Sequence, residues 1–411
     1  MPIRRGLLSD LFVGVVAKRL TLVETITPHS NQHEFQGTRP FRALFGDEDQ
    51  RKIPTRFVWL GAEQDGISED GFLSWSNVRK GKPRAPEYHL YYSGNAVTEA
   101  MDVDDTMFLA RRPDGTVLVV VAPGGSTVVS QLMWLFGIEE QRELREEYRD
   151  IEHERQAELD FAARYILDEL GVEFEEPEVD VLDALLAPFG LEFPTTAVFS
   201  ALARSSLPEV NPLDGADAAL MAWLEREEAL FRRLERTIVS ERLKNGFMAG
   251  EDADVDGFIS FSLSVQNRRK SRAGQSLENH LETIFKARKL KFDRGATTEG
   301  KKKPDFLFPG GEAYHDPAFP REKLTLLGSK STCKDRWRQV VSEGARVSHK
   351  HLITLEPSIS EAQTDEMRSF NLQLVLPRPL HATYKSAQQA WLMDLAGFID
   401  LVDVRQDVSV R

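Results

Sequence analysis

Two side chains of this 411-residue chain stand where phosphodiester hydrolysis would need them. Asp305 follows a proline and opens the apolar run Phe306-Leu307-Phe308, a rigid place to hold a metal ligand. Lys330 ends the next apolar run, 25 residues later, where a neighbouring strand would set the two side chains abreast. Two further glutamates, Glu278 and Glu343, lie in the same stretch. Cleaving a phosphodiester takes a metal to polarise the phosphoryl oxygen and activate water, with positive charge for the transition state. Mg²⁺ accepts oxygen ligands and keeps several waters, so two carboxylates and the scissile phosphate suffice. Pro-Asp alone is a weak signal. Pro-Asp, then a strand ending in Lys, inside a basic α/β region, is more specific.

The elements that must position these groups alternate. The pattern predicts helices at Ala216 to Lys244 and Ser276 to Lys289, then a strand at 304–308 and another at 323–330. A helix over 334–347, a strand at 350–355, a helix at 359–368, a strand at 371–376 and a helix at 384–401 follow. Such alternation implies a sheet covered by helices. The first 135 residues instead carry short β-branched and aromatic runs: Phe57 to Leu60, Phe72 to Trp75, Tyr88 to Tyr92, Thr106 to Ala110 and Val117 to Val121. Asp65-Gly66, Asp114-Gly115 and Pro123-Gly124 separate several of them, which suggests a barrel or sandwich. Before these runs, Arg4 to Ala17 predicts an amphipathic first helix, since Asp10 breaks the apolar stretch of a signal peptide. Residues 136–192 are expected to form an acidic helical linker, with Ile138, Leu144, Tyr148 and Ile151 at near-helical spacing. The expected fold is therefore multidomain: a β-rich unit over 1–135, the linker over 136–192 and an α/β unit over 193–411.

The net charge of −13 argues at first against a nucleic-acid partner, but its distribution reverses that. Acids concentrate from Glu139 to Asp160 and from Asp168 to Asp183. Between Arg268 and Lys303, bases outnumber acids by roughly three to one, a local patch suited to phosphate. The single cysteine, Cys333, excludes a disulfide scaffold and a cysteine-built zinc site and fits a cytoplasmic setting. No window has the roughly 18 apolar residues of a membrane span.

The C-terminal half resembles the EcoRII-type restriction endonucleases of the PD-(D/E)xK nuclease superfamily. The strings that carry the likeness run from Asn267 to Gly274, Ser276 to Glu278, Glu299 to Pro309, Ala313 to Asp316 and Thr332 to Gln339. A weaker likeness extends to Lys18-Arg19-Leu20, Gln32-His33-Glu34 and Ser76 to Gly94. The acid that the superfamily places two residues before its lysine is Gly328 here. The resemblance implies that this acid is displaced to Glu343, 13 residues after Lys330, and that Glu278 is the remaining acidic member of the site. By the same likeness Asp305 and Glu343 would bind Mg²⁺, Lys330 would face the scissile phosphate, and Tyr314 would position neighbouring groups.

In the resembling enzymes the triplet Lys334-Asp335-Arg336 reads C·G pairs, as Arg to guanine and Asp to cytosine allow. Arg269 is a second candidate for base contact, while Arg268, Lys270 and Arg272 suit phosphate. The resemblance further implies an N-terminal pseudobarrel that binds a second DNA copy and regulates the nuclease. His33, Lys80, Lys82, Arg84 and Glu87 are its candidate reading residues. The expectation is a homodimeric type II restriction endonuclease on double-stranded DNA, with a companion methyltransferase or defence partner. Its rivals are a phage-defence nuclease triggered by a signal or by modified DNA, a DNA-binding regulator with a dead nuclease domain, and an acidic scaffold.

Overall fold

The runs of Val, Ile and aromatic residues in the first third pair as strands. The computed structural model describes residues 6–25, 34–61, 66–139, 146–154, 157–174, 179–249, 252–333 and 336–407, apart from the side chains of Glu154, Ala249, Lys270 and Asp407. The chain divides into two compact units, residues 5–175 with 357–360, and residues 176–356 with 361–411.

The first unit is built on eight strands: β1 (Gly14–Arg19), β2 (Glu34–Gly37), β3 (Gln50–Trp59), β4 (Ile67–Asn77), β5 (Tyr88–Tyr92), β6 (Thr106–Arg111), β7 (Val117–Ala122) and β8 (Glu146–Asp150). They hydrogen-bond in the order β2-β5-β4-β3-β7-β6-β1-β8. All neighbours are antiparallel except the parallel pair β3 and β7. Side chains alternate across a strand, and here both sides are buried. One core gathers Val16, Phe57, Leu73, Trp75, Leu90, Leu109 and Val119, residues from strands across the sheet, as a curled sheet requires. The other gathers Val15, Ala17, Phe108, Leu118 and Val120 under the Thr127–Phe136 and Phe161–Glu169 helices.

Two expectations change here. The predicted first helix is instead a 3-10 turn, Leu8–Asp10, followed by β1. Val15, Val16 and Ala17 lie between β6 and β8 with both faces buried, so pairing on two sides overrides the helical pattern. The predicted helical linker over 136–192 contains β8, which pairs with β1, and the Phe161–Glu169 helix, which lies in the first unit's core. Its apolar residues recur at near-helical spacing, yet Glu146 is drawn to Lys18 of β1 and Tyr148 packs against the sheet's inner core. Leu144 lies outside the described residues.

In the second unit the Ala216–Asn245 helix is amphipathic, with Leu220, Trp223, Leu230 and Leu234 buried. The next helix is longer than its sequence pattern implied, spanning Val255–Ala287, and buries Leu277, Leu281, Ile284 and Phe285 near its end. A small hairpin of β9 (Met248–Ala249) and β10 (Asp252–Ala253) lies between these two helices in sequence, and a five-stranded sheet follows them. Its strands are β11 (Asp293–Arg294), β12 (Phe306–Phe308), β13 (Thr325–Lys330), β14 (Lys350–Thr354) and β15 (Leu372–Val375), in that order. β11, β12 and β13 run antiparallel, and β13, β14 and β15 parallel. Phe285 of the long helix and Phe398 of the Leu395–Asp407 helix meet Phe308 edge-on at 5.3 and 5.7 Å between ring centroids. That aromatic packing buries β12 fully and makes it a stiff support.

Candidate active site

Antiparallel pairing sets the start of β12 against the end of β13, with Phe306 opposite Leu327. Asp305 therefore meets the last residues of β13 directly. Its Oδ2 accepts the Ser329 backbone N–H at 2.7 Å and the Lys330 ammonium at 2.9 Å. Both side chains are mostly buried, so the pair has a fixed geometry rather than that of a flexible surface ion pair.

Glu343 reaches the same place by another route. The helix Trp337–Ser342 lies against β13 at Gly328, where an added Cβ would come within 2.5 Å of Val340 Cγ2 and 2.9 Å of Cγ1. No side chain fits at Gly328, and so no acid can stand there. The same close approach places Glu343, the residue that ends this helix, near Asp305 and Lys330. Glu343 is only 3% exposed. Burial, and then the charge of Asp305, push its carboxyl above the usual range, while Lys330, Gln339 and Lys302 pull the other way. Gln339 donates to Glu343 Oε1 at 3.3 Å. A buried carboxyl raised by a neighbouring carboxylate, which is itself bonded to a lysine, is an arrangement that a divalent cation would relieve. Among the described residues no cluster of three or more His, Cys, Asp or Glu side chains fits a metal. An ion here would take two protein carboxylates and complete its shell with water and phosphate.

Tyr314, buried in the short Gly311–His315 helix, donates its hydroxyl to both oxygens of Glu299 at 2.6 Å. Burial, and then that carboxylate, push the phenol up to about 12, so it stays protonated as a donor. Glu278 is not brought onto Asp305. Its carboxylate is engaged by Arg294 of β11, through Nε at 3.0 Å and Nη2 at 2.7 Å, and Arg294 also binds Glu282 and Asn279.

The basic run divides. Arg268 is exposed, with its guanidinium 4.2 Å from the Phe193 ring centroid. Arg269 is half-exposed and donates to Glu235 at 2.7 Å. Arg272 does not keep its expected phosphate role. It is 9% exposed, paired with Glu228 and near Glu227, and stacked over Phe231 at 4.2 Å. That cluster ties the two long helices together. The side chain of Lys270, together with Lys334, Asp335 and His33, lies outside what the structure describes. Arg336 is exposed at the start of the Trp337–Ser342 helix.

In the first unit the candidate reading residues follow β4. Lys80 is bonded to Asp49 at 2.8 Å, Lys82 reaches the Val78 carbonyl, and Arg84 is exposed. Glu87 pairs with Arg79 and lies 3.1 Å from His89.

Gln339, Glu299, Lys302, Lys350 and Arg294 carry no signal in the sequence that marks them as neighbours of these groups. Glu299 and Lys302 fall inside a string quoted for the family likeness, but a lysine run by itself reads as solvated charge. Their contacts cross long sequence distances that no local pattern signals.

Comparison with known proteins finds similarity in the C-terminal part of the chain. Residues 231–399 match the family model described as the EcoRII C terminal. The type II restriction enzyme EcoRII of Escherichia coli is 42% identical over 230 residues, which are 56% of this chain and 55% of that enzyme. The chain thus spans little more than half the length of that relative. Among solved structures, a metal-depleted Ecl18kI in complex with uncleaved, modified DNA aligns with a TM-score of 0.43 at 19% identity, over 56% of this chain and 85% of that one. Another metal-depleted Ecl18kI, with uncleaved DNA, aligns with a TM-score of 0.36 at 21% identity, over 60% and 83%. The likeness to the EcoRII C-terminal domain thus falls in the second half of the chain, over residues 231–399.

Proposed function

We propose that this chain is a divalent-metal-dependent endonuclease that makes site-specific double-strand cuts in DNA, leaving 5′-phosphate and 3′-hydroxyl ends. The observation that carries the proposal is the bonded pair of Asp305 and Lys330 with the buried Glu343 close enough to feel both charges. Asp305 and Glu343 would hold the ion, with Mg²⁺ the natural choice for an all-oxygen site. When bound, the ion polarises the phosphoryl oxygen and lowers the pKa of its water. Lys330, held by Asp305, offers its ammonium to the scissile phosphate. Gln339 orients one oxygen of Glu343, and Glu343 must be ionised to act as a ligand. Glu278, tied to Arg294, serves at most as an outer carboxylate in this arrangement.

Recognition of DNA would fall to exposed basic residues of the second unit. Arg336, with Lys334 and Asp335, would read bases. Arg268, Arg269 and Lys270 would set position on the phosphates. Arg269 would leave or share Glu235 to do so. The first unit, with His33, Lys80, Lys82, Arg84 and Glu87, is proposed as a regulatory DNA-binding unit. A palindromic site would call for a homodimer. Among the described residues no helix is long and apolar enough to cross a membrane.

The test is direct. The pure chain is incubated with unmethylated phage DNA and Mg²⁺, alongside Asp305→Ala and Lys330→Met. Discrete fragments from the parent, lost in both variants while DNA binding persists, support the proposal. Equal cleavage by parent and Asp305→Ala would refute the site.

A further inference from the structure

Glu343 stands at the end of a six-residue helix, and a short helix ending in a buried acid needs something to hold it. The last four carbonyls of any helix lack internal partners. Here all four are satisfied. The Gln339 carbonyl accepts from the Ser342 hydroxyl at 2.7 Å, and that of Val340 accepts from the Glu343 N–H at 3.1 Å. The Val341 carbonyl accepts from the Lys350 ammonium, and that of Ser342 from the Lys302 ammonium at 2.8 Å. Two cations at a helix C-terminus also oppose its negative dipole end.

The chain beyond Glu343 is held from the same side. Gly344 turns with φ +56°, and the next two N–H groups are taken up: Ala345 N–H by Glu299 at 3.3 Å, Arg346 N–H by the Tyr314 hydroxyl at 3.3 Å. Glu299 and Lys302 belong to one turn, closed on itself by Thr298 N–H to the Lys302 carbonyl at 2.8 Å. That turn leads, three residues on, into Asp305. One short segment thus grips the Glu343 turn on both sides and continues directly into the other carboxylate.

We propose that the 298–302 turn sets the spacing of Asp305 and Glu343, with Lys302 as the positioning residue that clamps the Glu343 turn and Lys350 as its second support. The proposal rests on the reading of these two carboxylates as the metal ligands. Lys302 touches neither carboxylate oxygen through a hydrogen bond. Its one direct bond is to the backbone that carries Glu343, and its charge acts on the carboxyl only through space, an effect that Lys302→Arg retains.

The test uses Mn²⁺ binding to the full chain without DNA, followed by electron paramagnetic resonance, so that it does not depend on turnover. Lys302→Met should weaken Mn²⁺ binding by roughly tenfold, the scale on which supports of metal ligands act. Lys302→Arg, which keeps a donor, should recover most of it. The half-saturating Mg²⁺ concentration for cleavage should rise in parallel while the KM for DNA stays within twofold. Lys302 is exposed, so the melting temperature should move little. Unchanged Mn²⁺ binding in Lys302→Met, with binding lost in Asp305→Ala, would overturn the clamp and leave the site standing. If Asp305→Ala bound Mn²⁺ as the parent does, the assignment of the carboxylates would itself fall.

Discussion

Replacing Gly328 with alanine should disable the site without touching a charged residue. The new Cβ would meet Val340 Cγ2 at 2.5 Å and Cγ1 at 2.9 Å, against a comfortable carbon separation of about 3.5–4.0 Å. Val340 is completely buried, so the relief must come from moving the Trp337–Ser342 helix away from β13 by about 1 Å. Overpacking of this kind costs about 1–3 kcal/mol, which urea denaturation would resolve. Glu343 travels with the helix, and a misplacement of about 1 Å can lower the rate by about a hundredfold. The decisive variant is Gly328→Ala with Val340→Ala, which removes both Cγ atoms and leaves the Val340 Cβ at 3.3 Å as the nearest neighbour. Cleavage of phage DNA should recover at least about tenfold over the single variant. The two substitutions should also couple by about 1 kcal/mol or more in stability. A Gly328→Ala enzyme as stable and as active as the parent would refute the seating of this helix as the device that delivers Glu343.

Glu343→Gln should abolish cleavage yet raise the melting temperature of the metal-free chain at neutral pH. The carboxyl titrates above its ordinary value in the folded state, so its ionisation opposes folding once the pH exceeds 4.5, and the advantage of glutamine should vanish below that. Melting curves across pH 4–8 check the sign. Glu228 titrates the other way. Burial opposes its ionisation, but the guanidiniums of Arg272 and Arg232 prevail and lower it to about 2. Its stabilising contribution is present above pH 4.5 and is lost as the pH falls toward 2. Arg272→Met should therefore destabilise the chain by about 1.5–3 kcal/mol, by removing a charged hydrogen bond and leaving Glu228 to Arg232 alone. It should leave the salt dependence of DNA binding unchanged, whereas a phosphate contact would shift that slope by about one unit. Arg336→Ala should weaken specific cleavage by about 10- to 100-fold while non-specific binding persists, as the loss of one bidentate base contact implies. Fragment patterns on a sequenced phage genome measure that directly.

Local sequence patterning on its own determined much of this protein. Short β-branched runs fixed by turn residues marked β3 to β7, and the alternation of apolar runs and amphipathic stretches marked β12 to β15, although the helix expected over 384–401 is broken into Ser386–Gln389 and Leu395–Asp407. Asp305 and Lys330 were legible because both lie at the ends of apolar strands, where a proline or a strand end is itself a local signal. Tertiary structure decided what depended on distant partners. Residues 14–19 became a strand because β6 and β8 pair with both their edges, and 146–150 did so because β1 draws it in. Arg272 turned from a phosphate contact into a buried tie because Glu228 stands 44 positions away in sequence yet in direct contact. Glu343 could be named from a family likeness, but its proximity to Asp305 rests on an absent side chain at Gly328 and on lysines that hold two backbone carbonyls. Such effects arise from the close packing of groups far apart along the chain, and a linear pattern records only the residues at each end.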